Sequence, residues 1–142
     1  MAPASRTLGS PLHLLHRAGQ RADYLFARHI GDHTFTPRQF AVLKAVADAD
    51  GLSQTAIMTA TGIDRSGTAE LVRRLVGNGL LTRRRTRKDA RVYAVRLTPK
   101  GMKMLSVGER AARAAGAQLL ASLPSRQRAT FIAALSSIID TA

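Results

Sequence analysis

The chain of 142 residues contains no cysteine, and this absence excludes several mechanisms at once. Disulfide bonds, zinc ligation by thiolates and redox sensing through a thiol all need that side chain. Long apolar runs are missing too, since no stretch approaches the roughly 18 to 20 residues that span a bilayer. Pro3, Pro11 and His13 interrupt the N-terminal segment where a secretory core is apolar. We therefore expect a cytoplasmic protein.

Acidic and aromatic residues are scarce. Nine Asp and Glu residues face 22 Lys and Arg residues, so the formal net charge is +13 with neutral histidines. This excess favours a polyanionic partner, and nucleic acid is the leading candidate. RNA-binding modules usually expose aromatic rings that stack on bases, whereas aromatic residues make up only 4% of this chain. Double-stranded DNA is therefore favoured, and a basic nucleoid-associated or RNA-binding protein without operator specificity is the alternative.

The patterns that would indicate an enzyme are also missing. The sequence has no glycine-rich phosphate loop and no evident grouping of Ser, His and Asp, so we expect neither catalysis nor a cofactor. One alternative is a metal-sensing regulator, because His29 and His33, with Asp32 between them, have a spacing at which two helical histidines share a cation. Gly31 favours instead a polar helix end, and we predict no metal site.

Apolar residues make up 45% of the chain, which is enough for the core of one domain. Their periodicity, together with capping residues and helix-ending Gly and Pro, predicts six helices. Between the fourth and fifth helices, two short segments that flank a charged loop predict a β-hairpin. The predicted helices run from Pro11 to Ile30, Thr36-Pro37 to Gly51, Gln54 to Thr61, Asp64 to Val76, Thr98-Pro99 toward Leu123, and Ser125 to Ala142.

The third and fourth helices, joined by a short turn with Gly62, have the order of a helix-turn-helix. The predicted fold class is mainly α with a small β-hairpin, a winged helix-turn-helix with N- and C-terminal dimerisation helices. We expect one domain, in which residues 36–98 form the DNA-binding lobe. The apolar faces of residues 10–30 and 99–142 lie outside this lobe and are expected to pack together in a two-fold symmetric dimer.

Nearly half of the excess charge lies in one short segment. Residues 64–91 hold nine basic residues against three acidic ones, which is six of the thirteen excess charges. The first turn after Asp64 is polar and suits bases or phosphates, and the basic hairpin suits a finger laid along phosphates or into the minor groove. Asp89 is expected to orient the guanidinium of Arg91. The DNA contacts predicted here are Arg65, Ser66, Thr68, Arg73, Arg85, Arg87, Lys88, Asp89 and Arg91.

Short motifs follow one another in order over residues 36–101. They are Thr36-Pro37-Arg38-Gln39, Leu52-Ser53-Gln54, Asp64-Arg65-Ser66-Gly67-Thr68, Leu75-Val76-Gly77-Asn78-Gly79-Leu80-Leu81, Asp89-Ala90-Arg91 and Leu97-Thr98-Pro99-Lys100-Gly101. Each motif alone is weak, but their joint occurrence resembles the MarR family of bacterial winged helix-turn-helix transcription regulators.

This resemblance implies a homodimer on a pseudo-palindromic DNA operator. It places Arg65, Ser66 and Thr68 in the major groove. Arg91, oriented by Asp89, is placed at the minor groove. The resemblance adds two phosphate contacts at the start of the supporting helix, namely Ser53 and Gln54.

The resemblance also implies a repressor that is released by a small effector, often aromatic or phenolic, bound between the dimer helices and the DNA-binding lobe. Five residues spaced three or four apart on the first helix are candidates for lining that cleft, namely His13, His16, Gln20, Tyr24 and Arg28. The same spacing also describes the solvated side of a helix, so both interpretations stay open. The lack of cysteine departs from peroxide-sensing members of the family and argues against that mechanism.

Overall fold

A computed structural model describes residues 9–49, 51–89 and 91–140. These residues form six helices and one two-stranded antiparallel sheet, which confirms the predicted fold class. They group into two compact units, residues 30–111 and residues 9–29 with 112–140. The elements are α1 (Pro11–Ile30), α2 (Pro37–Ala47), α3 (Gln54–Thr61), α4 (Arg65–Gly77), β1 (Leu81–Arg85), β2 (Tyr93–Leu97), α5 (Pro99–Leu120) and α6 (Ser125–Ile139).

Side-chain caps begin the helices of the 30–111 unit where the sequence predicts them. The Thr36 hydroxyl accepts a hydrogen bond from the Gln39 amide at 3.2 Å. The Gln39 side chain accepts in return from the Thr36 amide at 3.0 Å, which completes a capping box. At the start of α5, the Thr98 hydroxyl accepts from the Gly101 amide at 2.9 Å. Each cap satisfies an amide that the helix leaves unpaired, and its loss costs about 1 kcal/mol.

Helix α2 ends at Ala47 and does not reach Gly51 as predicted. The reason is a tertiary pairing that the local pattern does not contain. Leu52 forms an antiparallel bridge with Val95 of β2, with N···O distances of 3.0 and 2.8 Å. Gly51 leads into this bridge with a φ of +84°, a left-handed conformation that favours glycine. At the other end of the chain, α5 ends at Leu120, short of the predicted Leu123.

The 30–111 unit is built on a closed apolar core. The hairpin pairs Leu81 with Leu97 and Arg85 with Tyr93 at its two ends. Leu81 pairs with Leu97, and Val95 lies two residues before Leu97 on β2, so Leu81 and Val95 point to the same face of the sheet. Both are buried in the core. The buried apolar residues of this unit are Ile30, Phe35, Val42, Leu43, Val46, Ile57, Val72, Leu75, Leu80, Leu81, Val95 and Ala111.

The unit of residues 9–29 and 112–140 has a much smaller core. Its buried apolar residues are Leu25, Phe26 and Ala115, and α6 contains no buried residue. None of the helices in the described ranges combines the length and apolarity needed to cross a membrane. The exposed large aliphatic and phenylalanine side chains of this unit are Leu12, Leu14, Leu15, Phe131, Ile132, Ile138 and Ile139.

Candidate nucleic-acid interface

The turn between α3 and α4 is set by a glycine and an aspartate. Gly62 ends α3 with a φ of +73°, and its amide donates to the Met58 carbonyl at 2.9 Å. Two residues later the Asp64 carboxylate accepts from the Gly67 amide at 2.6 Å and caps α4. The left-handed glycine stops one helix and the cap starts the next, so the chain reverses in a short turn. This is the predicted helix-turn-helix.

Helix α4 separates an apolar face from a polar one. Val72 and Leu75 are fully buried and seat the helix on the core. Arg65 and Ser66, in its first turn, are exposed. In the described part of the chain, Arg65 has no ion pair or hydrogen bond. On binding an acceptor, its guanidinium would give up no partner among the described residues.

Thr68 is the predicted base contact that the structure contradicts. Its side chain is 0% exposed, and its hydroxyl donates to the Ile63 carbonyl at 3.3 Å. A hydroxyl buried beneath the helix cannot reach a base edge. Thr68 therefore supports the turn before α4, and we remove it from the set of proposed DNA contacts. Sequence spacing places Thr68 in the polar first turns of α4. Spacing cannot show whether it is exposed or buried, because a threonine suits a polar face and a hydrogen-bonded interior site equally.

The predicted contact Arg73 is exposed but engaged. Glu70 pairs with Arg73 one turn later and with Arg74 at 3.4 Å. These pairs are solvent-exposed and contribute little to stability. One carboxylate nevertheless offsets part of the positive charge on this side of α4. The pair engages only Nη2 of Arg73, so a phosphate contact would use the remaining donors or displace Glu70.

The start of α3 carries the two predicted phosphate contacts. Ser53 and Gln54 are half-buried. As an acceptor, the Ser53 hydroxyl is committed to the Ala56 amide at 3.1 Å, where it caps the helix. Only its proton is available as a donor to a phosphate oxygen.

The wing, residues 81–97, has an ordered turn at its tip. The Thr86 hydroxyl donates to the Asp89 carbonyl at 2.8 Å and accepts from the Asp89 amide at 3.1 Å. Asp89 in turn receives the Arg91 amide at 2.9 Å and the Arg91 Nε at 3.4 Å on its Oδ1. The orienting pair predicted for Asp89 and Arg91 is therefore present. The Arg91 side chain is 92% exposed, so the pair restrains it without withdrawing it from solvent.

Arginines lie on both faces of the wing, and Tyr93 organises one of them. The Cζ atoms of Arg83 and Arg85 lie 5.3 and 5.7 Å from the Tyr93 ring centroid, and Arg85 Nε donates to the tyrosine hydroxyl at 3.3 Å. Stacking on a ring limits the rotamers of both guanidinium groups before DNA arrives. A cavity of about 510 Å³ along the wing is lined by Thr82, Arg84, Arg85, Thr86, Arg87, Ala94, Arg96 and Leu97.

Sequence reasoning missed the roles of Thr86 and Tyr93. Thr86 stands three residues before Asp89 as an uncharged hydrogen-bonding residue within a run of cations, and that spacing is a usable turn signal. Tyr93 becomes informative only when the hairpin register is known, since the register places it opposite Arg85. The other predicted wing contacts, Arg87 and Lys88, are exposed.

Comparison with known proteins decides the family. Residues 33–92 match the MarR family model. A putative transcriptional regulatory protein for the hcr operon of Thauera aromatica is 33% identical over 124 residues, which are 86% of this chain and 75% of that protein. The chain belongs to the MarR family. The predicted resemblance is thereby confirmed, and the chain is a DNA-binding transcription regulator.

Solved structures of MarR-type regulators share the fold. BpsR of Bordetella bronchiseptica, whose DNA binding is regulated by 6-hydroxynicotinic acid, aligns with a TM-score of 0.90 at 27% identity, covering 98% of this chain and 99% of that one. The transcriptional repressor CouR, solved on a 23-mer DNA duplex, aligns with a TM-score of 0.84 at 28% identity, covering 96% and 99%.

The residues predicted to bind an effector in this MarR chain lie along α1. His16, Gln20, Tyr24 and Arg28 are exposed and His13 is half-buried. The structure therefore brings them onto one helix, and the choice between an effector site and a solvated face stays a prediction.

Tyr24 is the most constrained of these residues. Arg28 donates a hydrogen bond to the Tyr24 hydroxyl at 3.3 Å, and the Cζ atoms of Arg21 and Arg28 lie 5.7 and 6.0 Å from the ring centroid. The hydrogen bond and positive charge of Arg28 favour the phenolate, so the pKa of Tyr24 lies below its ordinary value. The same contact raises the pKa of Arg28. A ring held between two cations suits an anionic or phenolic partner.

His29 and His33, at the end of α1, belong to no larger group of potential metal ligands among the described residues. No group of three or more His, Cys, Asp or Glu residues there is arranged to hold a metal ion. The His29 Nε2 is instead hydrogen-bonded to the Gln118 side chain at 3.0 Å. Asp32 and His33 are exposed beyond the helix end.

Proposed function

We propose that this chain is a ligand-released repressor that binds a pseudo-palindromic operator as a homodimer, acts in the cytoplasm and has no catalytic activity. The observation that carries the proposal is the presentation of exposed cations by both α4 and the wing within the compact 30–111 unit. A helix and a hairpin that carry cations match the two grooves of a duplex, since the wide major groove admits a helix and the narrow minor groove attracts arginine.

The proposed contacts divide by groove. Arg65 and Ser66 in the first turn of α4 read base edges in the major groove, where a guanidinium pairs well with guanine. Arg91, held by Asp89, enters the minor groove from the wing tip. The remaining contacts go to phosphates and set the register of the protein on DNA. They are Ser53, Gln54, Arg73, Arg85, Arg87 and Lys88.

A dimer accounts for the exposed apolar surface of the terminal helices. We propose that both units belong to one MarR-type domain and that residues 10–30 and 99–142 form its dimerisation region. Two copies that bury Leu12, Phe131, Ile132 and similar side chains present two copies of α4 to the two halves of an operator. A monomer would leave this apolar surface in water.

The effector is proposed to be a small aromatic or phenolic compound bound at the α1 residues His13, His16, Gln20, Tyr24 and Arg28. The cation-flanked Tyr24 ring, and His13 and His16 two to three turns before it on α1, supply stacking and anion-pairing groups. The regulation of BpsR by 6-hydroxynicotinic acid gives this class its support.

The test begins by selecting duplexes from a random library with the purified full chain. On the selected operator, Arg91→Ala should weaken binding about tenfold and lower the slope of log affinity against log salt. Ser66→Ala should change the selected sequence at one position, because a base contact is worth roughly 1 to 3 kcal/mol of discrimination. Lys44→Ala is the matched control, since Lys44 is an exposed cation on α2, outside the helix-turn-helix, the wing and the proposed dimerisation region.

Four outcomes would contradict the proposal. Displacement of the operator by random duplex at equal concentration indicates a packing protein, and preference for RNA indicates an RNA-binding one. Loss of DNA binding after chelation would support the alternative of a metal-sensing regulator. Aromatic acids and phenols are then titrated into the complex, and release by none of them contradicts the effector class.

A further inference from the structure

We propose that Arg38 of α2 is an additional DNA contact that binds an operator phosphate beside the first turn of α4, and that Gly67 makes the room for it. The inference rests on the proposed function and extends the DNA surface to a helix outside the helix-turn-helix. Arg38 occurs in the Thr36-Pro37-Arg38-Gln39 motif, which otherwise accounts only for the start of α2.

The first observation is steric. A Cβ added to Gly67 would lie 3.0 Å from Arg38 Nη2 and 2.7 Å from Asp64 Oδ1. Real Cβ atoms are essentially never closer than 3.0 Å to another heavy atom, so a larger residue would displace the Asp64 carboxylate, and the Arg38 guanidinium would have to move by a few tenths of an ångström. The guanidinium of Arg38 therefore lies directly over the backbone of the α4 first turn. A methyl group at position 67 would crowd this position.

The second observation is that the Arg38 guanidinium has no hydrogen-bonding or ion-pair partner among the described residues. The α2 helix carries two cations, Arg38 and Lys44. Lys44 forms an ion pair with Glu109 at 2.9 Å. Arg38 is exposed and, within the described part of the chain, makes no hydrogen bond or ion pair. An arginine without an acceptor among the described residues keeps its five donors for a partner outside the chain.

The third observation is location. Gly67, beneath the Arg38 guanidinium, follows Arg65 and Ser66, the proposed base contacts. When α4 occupies the major groove, a group that flanks its first turn from a neighbouring helix meets the sugar-phosphate backbone at the groove edge. A guanidinium pairs with a phosphate through two parallel hydrogen bonds, which also fixes the angle at which a helix enters the groove. We therefore assign Arg38 to a phosphate and not to a base.

The principal test uses Arg38→Gln in the full chain on the selected operator, with binding measured over a range of salt concentrations. A dimer loses two phosphate contacts, so we expect about tenfold weaker binding and a salt slope lower by about one for each subunit. Lys44→Gln removes the same charge from α2 itself, at a residue that pairs with Glu109 and is not a proposed DNA contact, and should leave both quantities close to those of the parent chain. Arg38→Lys keeps the charge and should retain most of the salt slope.

A double-mutant cycle tests the role of Gly67. Gly67→Ala should weaken operator binding because its methyl group displaces the Arg38 guanidinium. In the Arg38→Gln background the same change should cost less, so the two effects are not additive. Circular dichroism melting of each variant separates this result from unfolding, since Gly67→Ala also presses on the Asp64 cap.

The outcomes separate this inference from the proposed function. Unchanged affinity and salt slope for Arg38→Gln, while Arg65→Ala weakens binding, would overturn the Arg38 contact alone. An altered selected sequence for Arg38→Gln would overturn the phosphate assignment. Additive losses in the cycle would overturn the role of Gly67. If the parent chain selects no operator, both the contact and the proposed function fail.

Discussion

The two compact units solve the problem of burying apolar surface in different ways. In residues 30–111 the helices and the hairpin share one core, and large side chains such as Leu43, Ile57 and Leu75 are fully buried. In residues 9–29 and 112–140, Ile132 and Ile139 are 54% and 77% exposed. The first unit closes its core within one chain, whereas the second leaves large apolar side chains exposed among the described residues. The difference agrees with the proposal of a DNA-binding lobe that folds around its own core and of terminal helices that take part in dimer assembly.

The largest expected effect comes from placing a charge on the exposed apolar surface. Ile132→Glu should separate the dimer, because a carboxylate is costly to bury without a partner. Operator affinity should then fall about a hundredfold or more, since binding two half-sites together exceeds binding one by that factor. Sedimentation equilibrium and fluorescence anisotropy on labelled operator measure the two quantities.

Thr130→Glu is the control for this change. It adds the same charge to α6 about half a turn around the helix, at an exposed residue. Dimers should persist with this variant. A dimer that also survives Ile132→Glu would show that the apolar face of α6 is not the interface, and the comparison between the units would lose its explanation.

A smaller effect distinguishes two glycines of the same helix, α5. A Cβ at Gly101 would collide with the Leu80 carbonyl oxygen, while one at Gly116 meets nothing within 4 Å. Gly101→Ala should therefore lower the free energy of unfolding by roughly 2 to 4 kcal/mol, as overpacking against backbone does. Gly116→Ala should raise it by up to about 1 kcal/mol, because alanine is the better helix former.

Urea unfolding of the two variants provides this measurement under identical conditions. Opposite changes in the free energy of unfolding would support the contrast between a closed core around Gly101 and an open helix surface around Gly116. A comparable loss at Gly116 would mean that this part of α5 is covered in the assembled protein.

The smallest effect concerns the polar face of α1. Arg28→Ala removes the hydrogen bond and the charge that favour the Tyr24 phenolate, so the pKa of Tyr24 should rise toward its ordinary value of 10.0. In a Tyr93→Phe background Tyr24 is the only tyrosine, and ultraviolet titration reports it alone. Arg17→Ala is the control, because Arg17 hydrogen-bonds Gln20. An unchanged titration curve for Arg28→Ala would contradict the pairing seen here.

Much of the fold was predictable because it is encoded in short-range signals. Capping by Thr36, Ser53 and Asp64, and the helix stop at Gly62, lie where local rules place them. The pairing of Asp89 with Arg91 is equally local, since the two residues are two positions apart along the chain and therefore lie close in space. The end of α2 was missed because it depends on the bridge between Leu52 and Val95, which are distant in sequence.

The candidate site was predictable in composition but only partly in geometry. Exposed Arg65 and Ser66 follow from their place in the first turn of α4. Thr68 occupies the same polar stretch, yet the packing of the turn buries it. Charge counting also treats Arg73 as available, although Glu70 pairs with it. Periodicity identifies polar positions. It does not show which polar groups are buried or already paired within the protein.

The sequence by itself determined the order of elements, the helix caps and the concentration of positive charge between residues 64 and 91, because each depends on neighbours along the chain. Only the tertiary structure decided which side chains remain outside. It buried Thr68, stacked Arg83 and Arg85 on Tyr93, and laid Arg38 over Gly67. These outcomes depend on how separate elements pack against one another. A local sequence pattern does not specify the distances between residues of different elements.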